Sequence, residues 1–164
     1  MFLYYPNFIS MPETIELPDG DTWILEYPFA YIRQNEDRII VPPSGPGSVQ
    51  DMLRNPNWTT DYGSIPMVFQ NILRKDGRYA PAYVVHDWLY SSEKFDRATC
   101  DWILLEMLQE LGAYWLTRNT IYSGVRIGGG FVWRNHDPAK VSALRAYEQS
   151  FLLTARAQYP PLYL

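Results

Sequence analysis

Five polar residues stand where this chain could do chemistry: Asp61, His86, Asp87, Tyr90 and Asp101. His86 and Asp87 are adjacent inside the apolar run AYVVHDWLY, and Asp101 follows among leucines and a tryptophan in RATCDWILLEML. An ionised carboxylate on a leucine face is costly unless something donates to it. A histidine N–H is a suitable donor, and the bond would orient the imidazole and raise its basicity. The other ring nitrogen is then open to take a proton from water or a hydroxyl. That is the base-and-orienter half of a hydrolytic site. The competing reading is structural, in which buried polar groups of a hairpin merely satisfy one another.

The spacing supports the pairing. If SSEKF holds the turn between two antiparallel helices, the hairpin centre falls between residues 93 and 94. His86 and Asp101 are equally far from that centre and sit at the same height. Tyr90, one turn after His86, shares its face and is placed to bond Asp101 or a ligand. Asp87 points about 100° away round the helix, so it serves a different task. A hard cation such as Ca²⁺ is one candidate for that task. Asp61, in TTDYGSIP, lies in a turn whose Asp and Ser side chains suit backbone amides. Folded over the helices, Asp61 and exposed carbonyls would complete the cation site. Ser64 in the same turn becomes a nucleophile only if a base reaches it, and a structural role is favoured. Arg118 and Arg126, two turns apart on one helix, are candidates to pair with Asp61 or Asp101. His136, in RNHDP, reads as part of a helix-entry turn.

The elements that must hold these residues are legible in outline. FAYI and DRIIVPP are rich in β-branched and aromatic residues, with RQNED as the turn, so DTWILEYPFAYI and DRIIVPP predict a hairpin. Residues 42–60 carry most of the Pro and Gly punctuation and predict a long surface loop. Pro81 suits a helix start. Asp96 caps a second helix that runs to Leu111 and stops at Gly112, with Asp101, Leu104, Leu105, Leu108 and Leu111 on its buried face. A third helix from about Tyr114 carries Leu116, Ile121 and Val125 and runs into the glycines 128–130. A fourth follows Pro138. The expectation is a single α+β domain over residues 1–164: β-rich over 1–41, loop over 42–60, helical over 61–164. A small N-terminal antiparallel sheet packs on a helical body whose hairpin carries the His/Asp cluster.

Composition narrows the function. With 164 residues, 47% hydrophobic and 20% charged, the chain buries a sizeable core. A net charge of −4 with no basic run argues against nucleic acid. The single Cys100 excludes an intrachain disulfide, and one Cys with two His makes a structural zinc site a poor fit. Aromatic residues make up 16% and suggest an interface or a cleft. The apolar start MFLYYPNFIS lacks a basic leader and is too short to span a bilayer, so a non-integral protein made in a cytoplasm is expected. That start and the end QYPPLYL predict packing on the body or on another subunit.

The order of motifs adds a resemblance. VPP, TDYGSIP, HDWLY and an Asp on the following helix resemble a domain-of-unknown-function family encoded by phages and prophages. Its signature reads V-P-x-G-F-x-T-D-x-A-S-I-P, then H-D-W-L-Y, then an Asp opening a long helix. The likeness covers residues 23 to about 134. The chain departs from it by about fifteen extra residues between Pro43 and Asp61 and by Gly63 where Ala is common. Membership implies a phage origin and no established chemistry.

A second likeness is local. HDWLY followed by an Asp on the next helix is similar to the H-D-x-x-Y helix of secreted phospholipases A2. It implies His86 as the base for water, Asp101 as its holder and Asp87 as a Ca²⁺ ligand. The Cys-Gly-x-Gly-Gly loop and the disulfides of that family are absent. The resulting expectation is a virion- or lysis-associated hydrolase, with Asp87 and Asp61 as candidate oxygen ligands for Ca²⁺. The alternative is a non-catalytic virion component of tail, neck or baseplate. It would bind other virion proteins or itself through its apolar termini and the 42–60 loop.

Overall fold

The computed structural model describes residues 7–62 and 77–164. Two small antiparallel sheets precede a helical body, giving the α+β architecture expected from the sequence. The strands are β1 (Phe8–Ile9), β2 (Thr14–Glu16), β3 (Trp23–Leu25), β4 (Phe29–Ile32) and β5 (Arg38–Val41). The helices are α1 (Val49–Arg54), α2 (Ala80–Ser92), α3 (Arg97–Glu110), α4 (Trp115–Arg134) and α5 (Pro138–Gln158), followed by a 3₁₀ turn over Pro160–Tyr163.

The predicted hairpin is β4–β5, with Phe29 opposite Val41 and Ile32 opposite Arg38. The stretch DTWILEYPFAYI is not one strand, however. It breaks at Tyr27–Pro28 because proline cannot donate to a ladder. β3 therefore pairs with β2, while β4 pairs with β1 and β5. Alternation then gives the three-stranded sheet two apolar faces. Phe8, Phe29, Tyr31, Ile39 and Val41 enter the main core with α2 and α3. Ala30 and Ile40 instead cover Leu162 of the C-terminal turn. Arg38 bonds the carbonyls of Leu162 and Leu164, so the apolar end of the chain packs on its own sheet.

The stretch 42–60 is not all loop. Ser48 and Asp51 form a capping box that starts α1, with each side chain bonding the other residue's backbone N–H. Further on, Thr60 makes an isolated bridge to Trp23, with N–O distances of 2.8 and 2.9 Å, and so ties this segment to β3.

α2 is the central element. It is buried on nearly every side and packs against α3, α5 and β5. α3 starts at its Asp96 cap, whose carboxylate accepts from the Thr99 amide, and ends at Gly112 with φ of +79°. That left-handed conformation is one glycine adopts without strain. α4 does not stop at the glycines 128–130 but runs through them. Among the described residues no helix is long and apolar enough to cross a membrane.

Candidate active site

Tyr83, His86, Asp87 and Tyr90 recur at helical spacing along α2 and share the wall of one cavity of about 390 Å³. The opposite wall comes from α4, where Ile121, Val125 and Val132 supply apolar surface beside Gly124, Gly128 and Gly129. Thr59 and Asp61 close one side. Packing on its other sides leaves α2 presenting this polar stripe to the cavity.

His86 and Asp101 meet across the α2–α3 hairpin, Nε2 to Oδ1 at 2.9 Å. Asp101 is fully buried and His86 nearly so. Three further donors converge on the same carboxylate. Tyr90 Oη donates to Oδ1 at 2.6 Å, Arg126 Nη1 donates to Oδ2 at 2.6 Å, and Arg97 Nη1 stands 3.7 Å from Oδ2. Burial alone would push the Asp101 carboxyl up. The bonds from His86, Tyr90 and Arg126 outweigh it and hold the group below the ordinary carboxylate range. Asp101 is thus an ionised acceptor, and Nε2 of His86 must carry the proton that it shares. Nδ1 is left as the basic nitrogen. Tyr90 stays a phenol, because burial and its bond to Asp101 push its ionisation far up. The Tyr90 ring also lies against the imidazole, with centroids 4.3 Å apart.

The glycines of α4 explain how Tyr90 and Arg97 reach this position. A Cβ on Gly129 would fall 2.6 Å from Tyr90 Oη, and one on Gly130 would fall 3.7 Å from the Arg97 guanidinium. Bare backbone at Gly129 is therefore the seat of the tyrosine.

Asp87 does point elsewhere, as its place on the helix requires. It accepts from the Thr60 hydroxyl and from the Asp61 amide, the latter at 3.2 Å. Thr60 is bonded to β3 on its backbone and to α2 through its side chain, so Asp87 anchors the segment that closes the cavity. Asp61 lines that cavity but reaches Asp87 through its backbone. Calcium favours six to eight oxygens. Among the described residues no three His, Cys, Asp or Glu side chains converge to hold a metal. No step below depends on a cation.

Other candidates separate. Arg126 reaches Asp101, whereas Arg118 caps the carbonyl of Ala113 at 3.3 Å and takes no part. Cys100 is buried, its thiol pushed up to about 12 by that burial, and it is no nucleophile. Gly63, Ser64 and Pro66 lie outside the described residues. Sequence reasoning missed Arg97, Gly129 and Thr60. Arg97 was findable, because it stands four residues before Asp101 on one helix face. The other two carry no local signal.

Residues 23–125 match a family described as a protein of unknown function, DUF1353. The chain belongs to this family. No curated protein matches it, and neither does any solved structure. The DUF1353 segment opens at β3 and contains Thr60, His86, Asp87, Tyr90, Arg97 and Asp101. It ends one residue before Arg126, so the second half of α4 and all of α5 lie beyond the DUF1353 match.

Proposed function

We propose that this DUF1353 protein is a hydrolase in which His86 takes a proton from a water held in the cavity. The observation that carries the reading is that His86 and Tyr90 line the cavity while both bond the buried Asp101 behind them. Asp101 orients the ring and stabilises the imidazolium that forms, Tyr90 and Arg126 fix the carboxylate, and Nδ1 is the proton acceptor. The local resemblance of HDWLY and the following Asp101 to the phospholipase A2 helix supports this reading. An acyl ester is therefore the substrate class that we infer. The apolar wall of α4 suits the acyl part. The order of motifs supports a phage-encoded, virion- or lysis-associated setting.

The test is hydrolysis of short acyl esters by the purified chain and by His86→Asn. General-base catalysis is worth about 10²- to 10⁴-fold, so the variant should lose at least that lower factor while keeping its circular dichroism. A folded His86→Asn as active as the parent would end the reading.

A second reading has an observation of its own. α4 leaves Trp115, Leu116, Ile127 and Phe131 exposed, with Ile127 at 85%. Such a row favours contact with other virion proteins, with the His/Asp cluster only pinning the hairpin. Under that reading, Leu116→Glu with Ile127→Glu should block incorporation into particles, while His86→Asn should not. Normal incorporation of the double variant would count against it.

A further inference from the structure

The chain has two histidines, and both line the same cavity. His136 follows α4 and bonds Glu93 through Nδ1, with Oε1 at 2.8 Å. The bond joins two turns, since Glu93 sits between α2 and α3 and His136 between α4 and α5. Both are partly open, with side chains 18% and 28% exposed. A run of rings joins the two imidazoles. His86 lies 4.3 Å from Tyr90, Tyr90 lies 5.1 Å from Trp133, and Trp133 lies 5.6 Å from His136, centroid to centroid.

The surroundings leave Glu93 as the charge that His136 answers to. Asp137, its neighbour in sequence, is spent on capping α5 through the Ala139 amide. Arg145 grips the carbonyls of Ser92 and Glu93 at 2.9 and 2.6 Å and so fixes the turn that carries the glutamate. Glu93 itself is held at a positive φ of 45°, in a left-handed conformation uncommon for a residue other than glycine. The pair is therefore built from a glutamate on a fixed backbone and a histidine with Nε2 uncommitted by the Glu93 bond. That mirrors His86, whose Nε2 is taken and whose Nδ1 is not.

We infer that His136 with Glu93 is a second proton-transfer dyad of the cavity, which protonates the leaving alcohol while His86 deprotonates the attacking water. The inference rests on the hydrolase reading above. The step balances without a further reactant. The water oxygen bonds the acyl carbon and its proton passes to His86. The bond from that carbon to the alcohol oxygen breaks, and the alkoxide takes a proton from the imidazolium of His136. Exchange with solvent restores both histidines. A dedicated acid matters only where the leaving group is a poor one, so the substrate class is an ester of an aliphatic alcohol.

Two butyrate esters separate this role from a structural one. 4-Nitrophenyl butyrate releases a stable anion that needs no proton, whereas ethyl butyrate must release a protonated alcohol. His136→Gln should lower kcat on ethyl butyrate by about 100-fold, the lower bound for general-acid catalysis, and lower it far less on the nitrophenyl ester. Glu93→Gln should show the same selectivity. Equal losses on both esters, or no loss on either, would overturn the second dyad while leaving His86 as the base. A parent protein inert towards both esters would overturn the hydrolase reading and the dyad with it.

Discussion

The hydroxyl of Tyr90 lies 2.6 Å from where a Cβ on Gly129 would stand, so the tyrosine that holds Asp101 is seated on bare helix backbone. Neither residue can change size alone. Tyr90 is pinned at its other end by Asp101 and cannot swing aside. Gly129→Ala should therefore destabilise by about 1–3 kcal/mol through overpacking. Helix propensity by itself would favour alanine over glycine by about 1 kcal/mol. Gly130→Ala supplies the control, because its nearest neighbour would be 3.7 Å away. It should be neutral or stabilising by about 1 kcal/mol, as propensity gives. Urea unfolding of the two variants checks the contrast, and equal effects would remove the seat from the account.

Asp101 carries a pH signature. Its carboxyl is held low in the fold by His86, Tyr90 and Arg126, which outweigh burial. A group with a depressed folded pKa stabilises above its unfolded value of about 3.9 and loses that contribution as pH falls through the folded value. Asp101→Asn should thus be less stable than the parent at pH 6, with the gap closing as pH drops below about 4. The truncation Asp101→Ala should cost about 3–5 kcal/mol, because it strands buried donors. A pH-independent gap for Asp101→Asn would mean the carboxylate is not ionised in the fold.

Asp87 is an anchor in this account. Thr60→Val and Asp87→Asn should each cost about 1.5–3 kcal/mol, the range for hydrogen bonds to a charged group. The two losses should overlap in part rather than add, since they share the Thr60–Asp87 bond, while Asp87 also accepts from the Asp61 amide and Thr60 from the Tyr62 amide. They should also be the same with calcium or with a chelator present. A loss that appears only in calcium would give Asp87 the metal role instead.

Much of this site could be read in the chain before folding. The midpoint of SSEKF puts His86 level with Asp101, and helical spacing puts Tyr90 beside both, because those relations are local to one hairpin. Local caps were as readable: Asp96 and Gly112 bound α3 where their chemistry requires. The Ser48–Asp51 box carried the same kind of signal, but the surrounding prolines and glycines masked it. What stayed hidden depends on distant partners. The three glycines look like a helix stop until Tyr90 and Arg97 are seen to lean on them. β1 and β2 owe their pairing to β4 and β3 rather than to their own composition. His136 looked like a turn residue because its partner, Glu93, lies 43 residues away.

The central claim is that Asp101 fixes His86 as the Nε2–H tautomer and leaves Nδ1 as the base. Long-range ¹⁵N–¹H correlation of the imidazoles reads this directly, and two histidines make the assignment short. At a pH where His86 is neutral, its Nε2 should show the shift of a protonated nitrogen and Nδ1 that of an unprotonated one. Asp101→Asn should mix the two tautomers. A neutral His86 protonated at Nδ1 in the parent would contradict the account, because the nitrogen assigned to accept the proton of water would already carry one.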